Sequence, residues 1–572
     1  MPLASFFETT TMTRLCLLIV SALALSGCSF LVNTQECETD ADCASFQTAD
    51  TSYTCDPEAL VCTETPRGDT SPDPSDASPD TPGDTPADVP ATDVSTDTTA
   101  GCQTNRECIV SNGEGSLCGA DGECFSALSE DCSKLTMPAN GETEKIVVVG
   151  SLLPLSEPFG SAIGQPLENA MQFATKRFNG EGGLPGGGAI AWLSCDSKGN
   201  AQIAKRAAQH MTQNVGVPAI IGPAFSDSFI AVAADTAQPP NEAILFATTP
   251  TSPAITNLHS KPDDLVWRNI SSDRFQGKAF VDRVLALGAQ RVLILHKDDK
   301  YGEDLRTEIV PPLLRALGTS NVKVGPYPNP LTIPDGTERR SEYGRIISQE
   351  LTDFEPQVTL ILGTSEGAEI AGAYFAVSNN LQRVPGKILM SHGVISVVTA
   401  LANNLPKPVL PLIETIAPVI FELDDPKYQT FSFDYNIEFG GTESTLLTTT
   451  TFDAAMVVFL AMSTVPTIED ITPTSIARGI ARLTDQGAEE IGIFEMGNFV
   501  SKARLALTNG DNINLNGISG PLDFDLATGS VYSRYYSWEI VEDEINGFKI
   551  LPKRVYTFSN PPEIDGSWSE ID

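Results

Sequence analysis

Positive charge is scarce in this chain of 572 residues. It has 36 lysine and arginine side chains against 74 aspartate and glutamate side chains, which gives a formal net charge of −38. Nucleic-acid binders need a basic footprint, so this balance excludes that class of partner. It also argues against peripheral docking on anionic lipid through basic side chains. Acidity keeps a protein soluble but identifies no ligand.

Sequence signatures of catalysis and of metal binding are also missing. The chain has only four histidines, which are His210, His259, His296 and His392. None of them belongs to an HExxH pattern, and no GxSxG nucleophile elbow occurs. Gly186–Ala191 fits GxGxxA, but it precedes a predicted strand and does not open a helix, so it is no phosphate loop. We therefore expect no enzyme activity, no cofactor and no metal.

Long apolar runs are absent near the start of the chain. Leu15–Leu25 has about 11 residues, whereas a membrane-spanning helix needs about 20. With Arg14 upstream, the run is typical of a secretory signal. Its ending, Leu25-Ser-Gly-Cys28, resembles the bacterial lipobox. The resemblance implies a signal peptide over residues 1–27 and a lipid on Cys28; an ordinary secreted protein is the alternative.

The cysteines are concentrated near the N-terminus. Cys37/Cys43 and Cys102/Cys108 both enclose five residues, and a second close pair follows each, at Cys55/Cys62 and at Cys118/Cys124. This repeat predicts two small modules, residues 28–62 and 102–132, each held by two disulfides because so short a unit cannot build a core alone. Zinc is a weaker alternative, since the spacing is not CxxC and no histidine lies nearby.

The segment between the modules, residues 63–101, has the composition of a linker. It is rich in proline, serine, threonine and aspartate and has no aromatic residue, so it cannot bury apolar area. Proline and charge repulsion favour an extended coil that reaches on the order of 120 Å. We expect a spacer that holds the rest of the protein away from a membrane.

Residues 133–572 alternate between apolar strands and helical periodicities. Typical predicted strands are Ile146–Gly150, Ile244–Ala247 and Lys387–Ser391, and helices are predicted over 165–179 and 226–237. Continuous apolar strands alternating with helices predict parallel, doubly wound α/β sheets. The segment is too long for one such sheet, so we expect two lobes, with a cleft at the carboxyl ends of the strands.

Several segments in this region match a known family in order. Lys145-Ile-Val-Val-Val-Gly-Ser-Leu-Leu-Pro-Leu155, Val217–Pro223, Thr251–Thr256, His296–Glu303 and Gly520–Asp525 resemble the type I periplasmic binding proteins. The most similar branch is that of the leucine/isoleucine/valine-binding proteins, and the resemblance covers about residues 145 to 545. It implies two lobes joined by three crossings that close on a small ligand.

The resemblance also implies ligand-binding residues. Ser226 matches the serine that holds the ligand carboxylate, and a predicted helix begins there, although a serine at that place is also an ordinary helix cap. Thr251 matches the threonine that touches carboxylate and ammonium, and Thr249 matches a position that offers a backbone carbonyl. Tyr301 matches an aromatic residue of the second lobe.

Two positions depart from the family pattern. His392 stands where amino-acid binders have a glutamate for the ligand ammonium, and Thr364 follows Gly363 where they have a cleft tyrosine. Neutral histidine is a poor partner for ammonium, which argues against an α-amino acid. His392 would instead face an anionic group or, as a loop residue, solvent. Glu366 or Asp299 is a candidate to restore the carboxylate.

The resemblance bears on Cys195 as well. The family bridges this strand to a cysteine just after the Ile-Gly-Pro strand, and that position is Phe225 here. Because each module uses four cysteines, we predict a Cys132–Cys195 disulfide that ties the stalk to the first lobe.

Two functions of different classes follow from these features. The first is a lipid-anchored solute-binding protein that serves an ABC permease or a sensor. The second is an envelope interaction protein that uses the same fold without transport, which the altered cleft and the long stalk favour. Ser29 after Cys28 implies the outer membrane by the usual sorting pattern.

Overall fold

A computed structural model describes most of the chain. It covers residues 51–56, 61–66, 101–139, 141–236, 239, 241–334, 338–442, 444, 446–495, 497–543 and 547–571. The predicted signal peptide, Cys28 and nearly all of the linker lie outside the described residues. The chain divides into two compact units, residues 1–96 and residues 97–572, each of which is described by itself.

The first unit contains one described hairpin. Strands β1 (Thr51–Asp56) and β2 (Val61–Pro66) pair antiparallel, and Cys55 is opposite Cys62 in the register. Cys37 and Cys43 lie outside the described residues, so the disulfides of this module stay a prediction.

The second Cys-rich module opens the second unit. Helix α1 (Asn105–Asn112) precedes a hairpin of β3 (Ser116–Cys118) and β4 (Cys124–Ser126). Disulfides join Cys102 to Cys118 and Cys108 to Cys124. The module therefore has the two expected bridges, and they link one close pair to the other. Since all four sulfur atoms are used in these bridges, they are not available to zinc.

Lobe 1 is built on a six-stranded sheet. Its strands are parallel apart from β5, and they lie in the order β10-β9-β8-β6-β7-β5, with bounds β5 Lys134–Thr136, β6 Ile146–Leu153, β7 Ala189–Asp196, β8 Ala219–Ile221, β9 Ile244–Ala247 and β10 Val266–Arg268. The connecting helices are α2 Gln165–Gly180, α3 Ala201–Gln209, α4 Ser226–Thr236 and α5 Pro253–Thr256. The central strands are buried along most of their length, as continuous apolar runs predict.

Lobe 2 continues the alternation. Its first elements are α6 Asp273–Ala286, β11 Val292–Lys297, α7 Lys300–Leu317, β12 Val322–Tyr327, α8 Arg339–Thr352, β13 Val358–Leu362, α9 Gly367–Asn380, β14 Lys387–Ser391, α10 Val398–Asn404 and β15 Ile413–Pro418. Strands β11 to β15 are parallel, which gives a second doubly wound sheet.

The chain then returns to lobe 1 and ends in lobe 2. Most of the returning elements share a hydrophobic core with β6, β7 and α2, and these are α11 Pro426–Glu438, α12 Leu446–Met462, α13 Pro473–Arg482, β16 Glu489–Gly492, α14 Phe499–Thr508 and β17 Ile513–Gly517. The short strand β18 (Gly520–Pro521) pairs antiparallel with β17. The last strands extend the sheet of lobe 2, and they are β19 Tyr535–Asp543, β20 Gly547–Phe558 and β21 Gly566–Glu570.

Three crossings therefore connect the lobes, near residues 268–273, 418–426 and 531–535. Backbone hydrogen bonds connect these crossing segments to one another. The amide of Arg268 donates to Gly529 (2.8 Å), that of Val531 donates to Arg268 (3.2 Å), and that of Val419 donates to Arg534 (2.7 Å). The two lobes were expected from the sequence pattern, and the three crossings are those that the family resemblance implies.

Each sheet differs from the prediction at one edge, which is antiparallel. Strand β5 pairs antiparallel with β7, and β19, β20 and β21 form an antiparallel ribbon beside β15. For the ribbon the reason is chain length: only a few residues separate β19 from β20 and β20 from β21, whereas parallel neighbours need a crossover of a dozen or more residues. Each sheet is thus a parallel core with an antiparallel edge.

The second Cys-rich module is fixed to lobe 1. Cys132 and Cys195 form the predicted disulfide, with Cα atoms 3.9 Å apart. Beside it the guanidinium of Arg206 donates to both carboxylate oxygens of Asp131, at 2.6 and 2.7 Å. Together with the pairing of β5, directly after the module, on β7, these contacts fix the module to lobe 1, while its hairpin β3–β4 remains a separate two-stranded sheet.

Among the described residues, the structure contains no helix that is both long enough and apolar enough to cross a membrane.

Candidate functional site

A cavity lies between the two lobes at the carboxyl ends of their parallel strands. It contains about 490 Å³ of space that no protein atom fills, including some open solvent at its mouth. The part of it that the centre of a water-sized sphere can reach is about 40 Å³, which in this conformation is room for a few water molecules. The lining residues are Ile163, Ala224, Phe225, Ser226, Asp227, Thr249, Pro250 and Leu447 from lobe 1, and Asp299, Tyr301, Thr364, His392 and Gly393 from lobe 2.

The turn after β8 positions the lobe 1 side of the cavity. Gly222 has a φ of +101°, and a Cβ there would lie 2.4 Å from the carbonyl oxygen of Leu152, so only glycine fits. The turn delivers Ser226 to the first residue of α4, where a helix is predicted to start. The Ser226 hydroxyl accepts a hydrogen bond from the Ser252 amide at 3.4 Å. First-turn amides and the helix dipole make this end of the cavity attractive to negative charge.

The two threonines of lobe 1 have different positions. Thr249 lines the cavity, and its hydroxyl donates to the carbonyl of Ala224 at 2.6 Å. Thr251 does not line the cavity; its side chain is buried, and its carbonyl accepts a hydrogen bond from the Asp273 amide at 2.7 Å.

The N-terminus of α7 positions the lobe 2 side. Asp299 caps this helix by accepting a hydrogen bond from the Gly302 amide at 2.9 Å. A Cβ on Gly302 would lie 2.1 Å from the carbonyl oxygen of Lys297, so the helix start packs directly on the end of β11. This close packing places Tyr301, at the second residue of the helix, in the cavity wall.

His392 is buried in the wall and does not face solvent. Its Nδ1 lies 3.1 Å from Oε1 of Gln276 and 3.2 Å from the hydroxyl of Tyr301. Because Nε2 of Gln276 donates to the carbonyl of Ile416, Oε1 of Gln276 acts as the acceptor and Nδ1 of His392 as the donor. Burial lowers the pKa of His392 to about 4, although a hydrogen bond with the Thr249 backbone opposes the change. His392 is therefore neutral near pH 7 and carries no charge for an anionic group.

Lys297, at the end of β11, is a buried cation behind the lobe 2 wall. Its Nζ lies 2.9 Å from Oδ2 of Asp299 and donates to the Thr364 hydroxyl at 3.2 Å. The same Nζ lies 5.5 Å and 5.3 Å from the ring centroids of Phe159 and Phe225, both in lobe 1. Burial opposes its charge, but the negative charges of nearby carboxylates outweigh that effect and raise the pKa of Lys297. Lys297 thus joins the two lobes as a permanent cation.

Thr364 lies in the cavity wall because Glu366 holds it there. The buried carboxylate of Glu366 accepts hydrogen bonds from the Thr364 amide (2.8 Å), from the Thr364 hydroxyl (2.5 Å) and from the Tyr327 hydroxyl (3.1 Å). Glu366 is therefore a support for the wall, and Asp299 is the carboxylate that reaches the cavity.

Asp227, the second residue of α4, brings another carboxylate to the cavity. Its Oδ1 accepts a hydrogen bond from the Ser228 amide at 2.8 Å. Burial raises the pKa of Asp227, and the nearby charge of Asp299 adds to this effect.

Five of the six ligand residues expected from the resemblance meet in this cavity; they are Ser226, Thr249, Tyr301, Thr364 and His392. Sequence reasoning missed Lys297 and Asp227. Both belong to segments that it examined, and each is a charged residue directly beside a predicted strand end or helix start. This location was the sequence signal that could have identified both residues as part of the site.

Comparisons with known proteins agree with this fold. A family model described as periplasmic binding protein matches residues 146–541. No curated protein matches the chain.

Solved structures also match, at low sequence identity. The branched-chain amino acid transporter substrate-binding protein LivJ from Streptococcus pneumoniae, in complex with isoleucine, is 15% identical, with 71% of this chain and 100% of that chain covered and a TM-score of 0.53. The leucine-binding protein LivK from Thermotoga maritima is 18% identical, with 72% and 98% covered and a TM-score of 0.54. An ABC transporter solute-binding protein from Rhodopseudomonas palustris, in complex with 4-hydroxybenzoate, is 16% identical, with 72% and 97% covered and a TM-score of 0.54. At these identities the likeness concerns the fold alone.

Proposed function

The chain belongs to the periplasmic binding protein family, and from this premise we propose that it is an extracytoplasmic solute-binding protein. It holds a small molecule, amino-acid-like or carboxylate-bearing, in the cavity between its lobes. Binding serves uptake through an ABC-type permease or sensing, and the protein itself catalyses no reaction.

The observation that carries the proposal is the composition of the cavity wall. Both lobes contribute to it, and it combines apolar surface with a few convergent polar groups, as ligand sites do. Ser226, at the start of α4, supplies a hydroxyl beside helix amides, which suits a carboxylate. Two similar structures contain isoleucine and 4-hydroxybenzoate, small molecules that share a carboxylate on an apolar body.

The remaining parts of the chain suit this role. We propose that Cys28 carries the lipid, with Ser29 directing the protein to the outer membrane. Residues 28–62, 63–101 and 102–132 then form a stalk of module, spacer and module that connects the lipid to the binding domain of residues 133–572. The disulfide between Cys132 and Cys195 supports the proposal, since it joins the last module covalently to lobe 1.

A thermal-shift screen of the purified protein tests the proposed function. The panel contains amino acids, small carboxylates, amides, sugars and short peptides. A ligand at 100 times its dissociation constant stabilises the folded state by about 2.7 kcal/mol, a readily visible shift. Ser226→Ala should reduce that shift, whereas Ser341→Ala, an exposed serine in the first turn of α8, should leave it unchanged.

A panel that produces no shift with any compound would contradict solute binding. The alternative of an envelope interaction protein would then be pursued by cross-linking in the cell envelope.

A further inference from the structure

Among its described residues, the cavity wall has negatively charged side chains but no positively charged ones. Two carboxylates, Asp227 and Asp299, belong to the lining residues, and no lysine or arginine does. His392, which replaces the family glutamate, is buried and neutral near pH 7. The cation closest to these groups is Lys297, behind the wall.

Asp299 already has its partners. One of its oxygens accepts a hydrogen bond from the Gly302 amide at 2.9 Å. The other lies 2.9 Å from the ammonium of Lys297 and also accepts a hydrogen bond from Asn329 at 3.4 Å. Lys297 thus pairs with Asp299 within lobe 2, and its charge is shared with the buried Glu366 carboxylate.

Asp227 has no comparable partner. Within the part of the chain that the structure describes, its carboxylate forms no ion pair, and the nearby cation Lys297 is bound to Asp299 and is also attracted by the Glu366 carboxylate. A half-buried carboxylate without a counter-charge is costly to desolvate as the lobes close on a ligand. A cationic group on the ligand removes this cost.

Asp227 also changes what the start of α4 can bind. Its own carboxylate accepts a hydrogen bond from the first-turn amide of Ser228 at 2.8 Å. A ligand that carries only negative charge would meet this carboxylate at the helix N-terminus, and like charges at close range repel. A ligand that also carries a positive charge can satisfy Asp227 and still use the Ser226 hydroxyl.

We propose that the cavity selects a small molecule with a positively charged amine, and that Asp227 is the residue that binds the amine. The proposal rests on the proposed function. The apolar body of the ligand packs on Ile163, Phe225 and Leu447. The shared chemistry is an ammonium on a small apolar body, which is present both in a simple amine and in an amino acid.

The test uses the purified protein and sets of matched probes. Each apolar body is offered as an amine, an amino acid, a carboxylate and a neutral amide; one set is 2-methylbutylamine, isoleucine, 3-methylpentanoate and 3-methylpentanamide. Calorimetry on every probe that shifts the melting temperature gives its dissociation constant. We expect binders only among amines and amino acids, and the difference between these two arms shows whether the carboxylate contributes.

Three variants at two aspartate positions assign the selectivity. Asp227→Asn should weaken the binding of amine-bearing probes by about tenfold or more, the usual effect of losing a charged hydrogen bond. Asp227→Glu, which keeps the charge, should keep the preference for amines. Asp298→Asn is the matched control, because Asp298 is exposed and does not line the cavity, and it should leave the dissociation constant within about twofold.

Two results would overturn the inference while the proposed function survives. One is tight binding of a carboxylate or a neutral amide without its amine counterpart, and the other is an amine binder whose affinity Asp227→Asn leaves unchanged. Absence of binding in all four arms, together with a panel that gives no shift, would remove both the inference and the proposed function.

Discussion

The two lobes share one architecture but contribute different chemistry. All five apolar residues of the cavity wall come from lobe 1; they are Ile163, Ala224, Phe225, Pro250 and Leu447. The lobe 2 wall is polar apart from Gly393, with Asp299, Tyr301, Thr364 and His392. The difference teaches that lobe 1 supplies the apolar surface for the ligand body together with Ser226 and Asp227, whereas the lobe 2 wall consists of polar groups that hydrogen bonds within the protein hold in place.

The interiors of the lobes show a related contrast. In lobe 1 the ring of Phe173 lies within 6.3 Å of five other aromatic rings. In lobe 2 the guanidinium of Arg283 binds the fully buried carboxylate of Glu414 at 2.6 and 2.9 Å. Four predictions test this comparison, in order of decreasing expected effect.

Arg283→Leu tests the charged interior of lobe 2. Burial favours the neutral form of Glu414, but Arg283 outweighs this and keeps the pKa of Glu414 low. Removing Arg283 leaves a buried carboxylate without its main partner, which should cost about 4 kcal/mol in the free energy of unfolding. Urea denaturation measures the loss.

The double variant Arg283→Leu/Glu414→Leu is the control for this prediction. It removes both charges, so it should recover most of the lost stability. Equal stability of the single and the double variants would show that the pair is not desolvated in solution.

Phe452→Ala tests the aromatic interior of lobe 1. Phe452 is fully buried, and its ring centroid lies 5.5 Å from that of Phe173 and 5.2 Å from that of Phe431. The cavity that alanine leaves should lower the free energy of unfolding by about 3 kcal/mol. Phe452→Leu, which keeps most of the volume, should cost clearly less in the same urea titration, and an equal cost would argue against a tightly packed cluster.

The burial of His392 predicts a pH dependence of stability. Its pKa is about 4 in the folded chain and about 6.5 in the unfolded chain. As the pH falls below about 6.5 the unfolded chain takes up this proton and the folded chain does not, so folding stability falls until the pH reaches about 4. Between pH 7 and pH 5 the contribution of His392 should drop by about 2 kcal/mol.

Urea titrations of the wild type and of His392→Gln at both pH values measure this contribution. The variant should lack the drop, because glutamine does not titrate. A His392 pKa near 6.5 in an NMR titration of the folded protein would contradict the buried position.

The smallest effect concerns the contact between the two lobe walls. The Lys297 ammonium lies 5.3 Å from the ring centroid of Phe225, and such a buried cation–π contact should contribute about 1 kcal/mol. A double-mutant cycle of Phe225→Leu and Lys297→Met measures this coupling and cancels the separate effect on Asp299. A coupling energy near zero would mean that the two walls do not meet at this point.

Much of the fold was predictable from local pattern. Strands β9 and β14 have the bounds that the sequence predicts, because short apolar runs between turn residues leave little choice of register. The start of α4 at Ser226 was predicted in the same way. The antiparallel edges were not predicted, because strand order depends on which segments meet after the turns.

The disulfides show where spacing stops being informative. Cys-rich modules were visible as a repeat, but four cysteines allow three pairings, and spacing alone does not choose among them. The structure pairs Cys102 with Cys118 and Cys108 with Cys124. Cys118 and Cys124, the close pair in the second half of the module, are therefore not bonded to each other. The helix–hairpin arrangement determines the pairing.

The site was predictable only in part, for the same reason. The resemblance placed Ser226, Tyr301 and His392 near one cavity, but it did not show that His392 is buried and neutral. The role of Lys297 depends on aromatic rings of the other lobe, which are distant in sequence and come close only in the fold. Contacts of this kind leave no local pattern.

The central claim is that the cavity between the lobes holds a small molecule. Native mass spectrometry of the protein purified from its own envelope tests it most directly, alongside Ala224→Trp, whose indole would fill the cavity from lobe 1. We predict that the wild type retains a bound small molecule and that the variant lacks it. After the ligand has been removed, the two proteins should have the same melting temperature, which shows that the variant is folded. Retention of the same molecule by both proteins, or of none by either after exposure to the envelope extract, would contradict the claim.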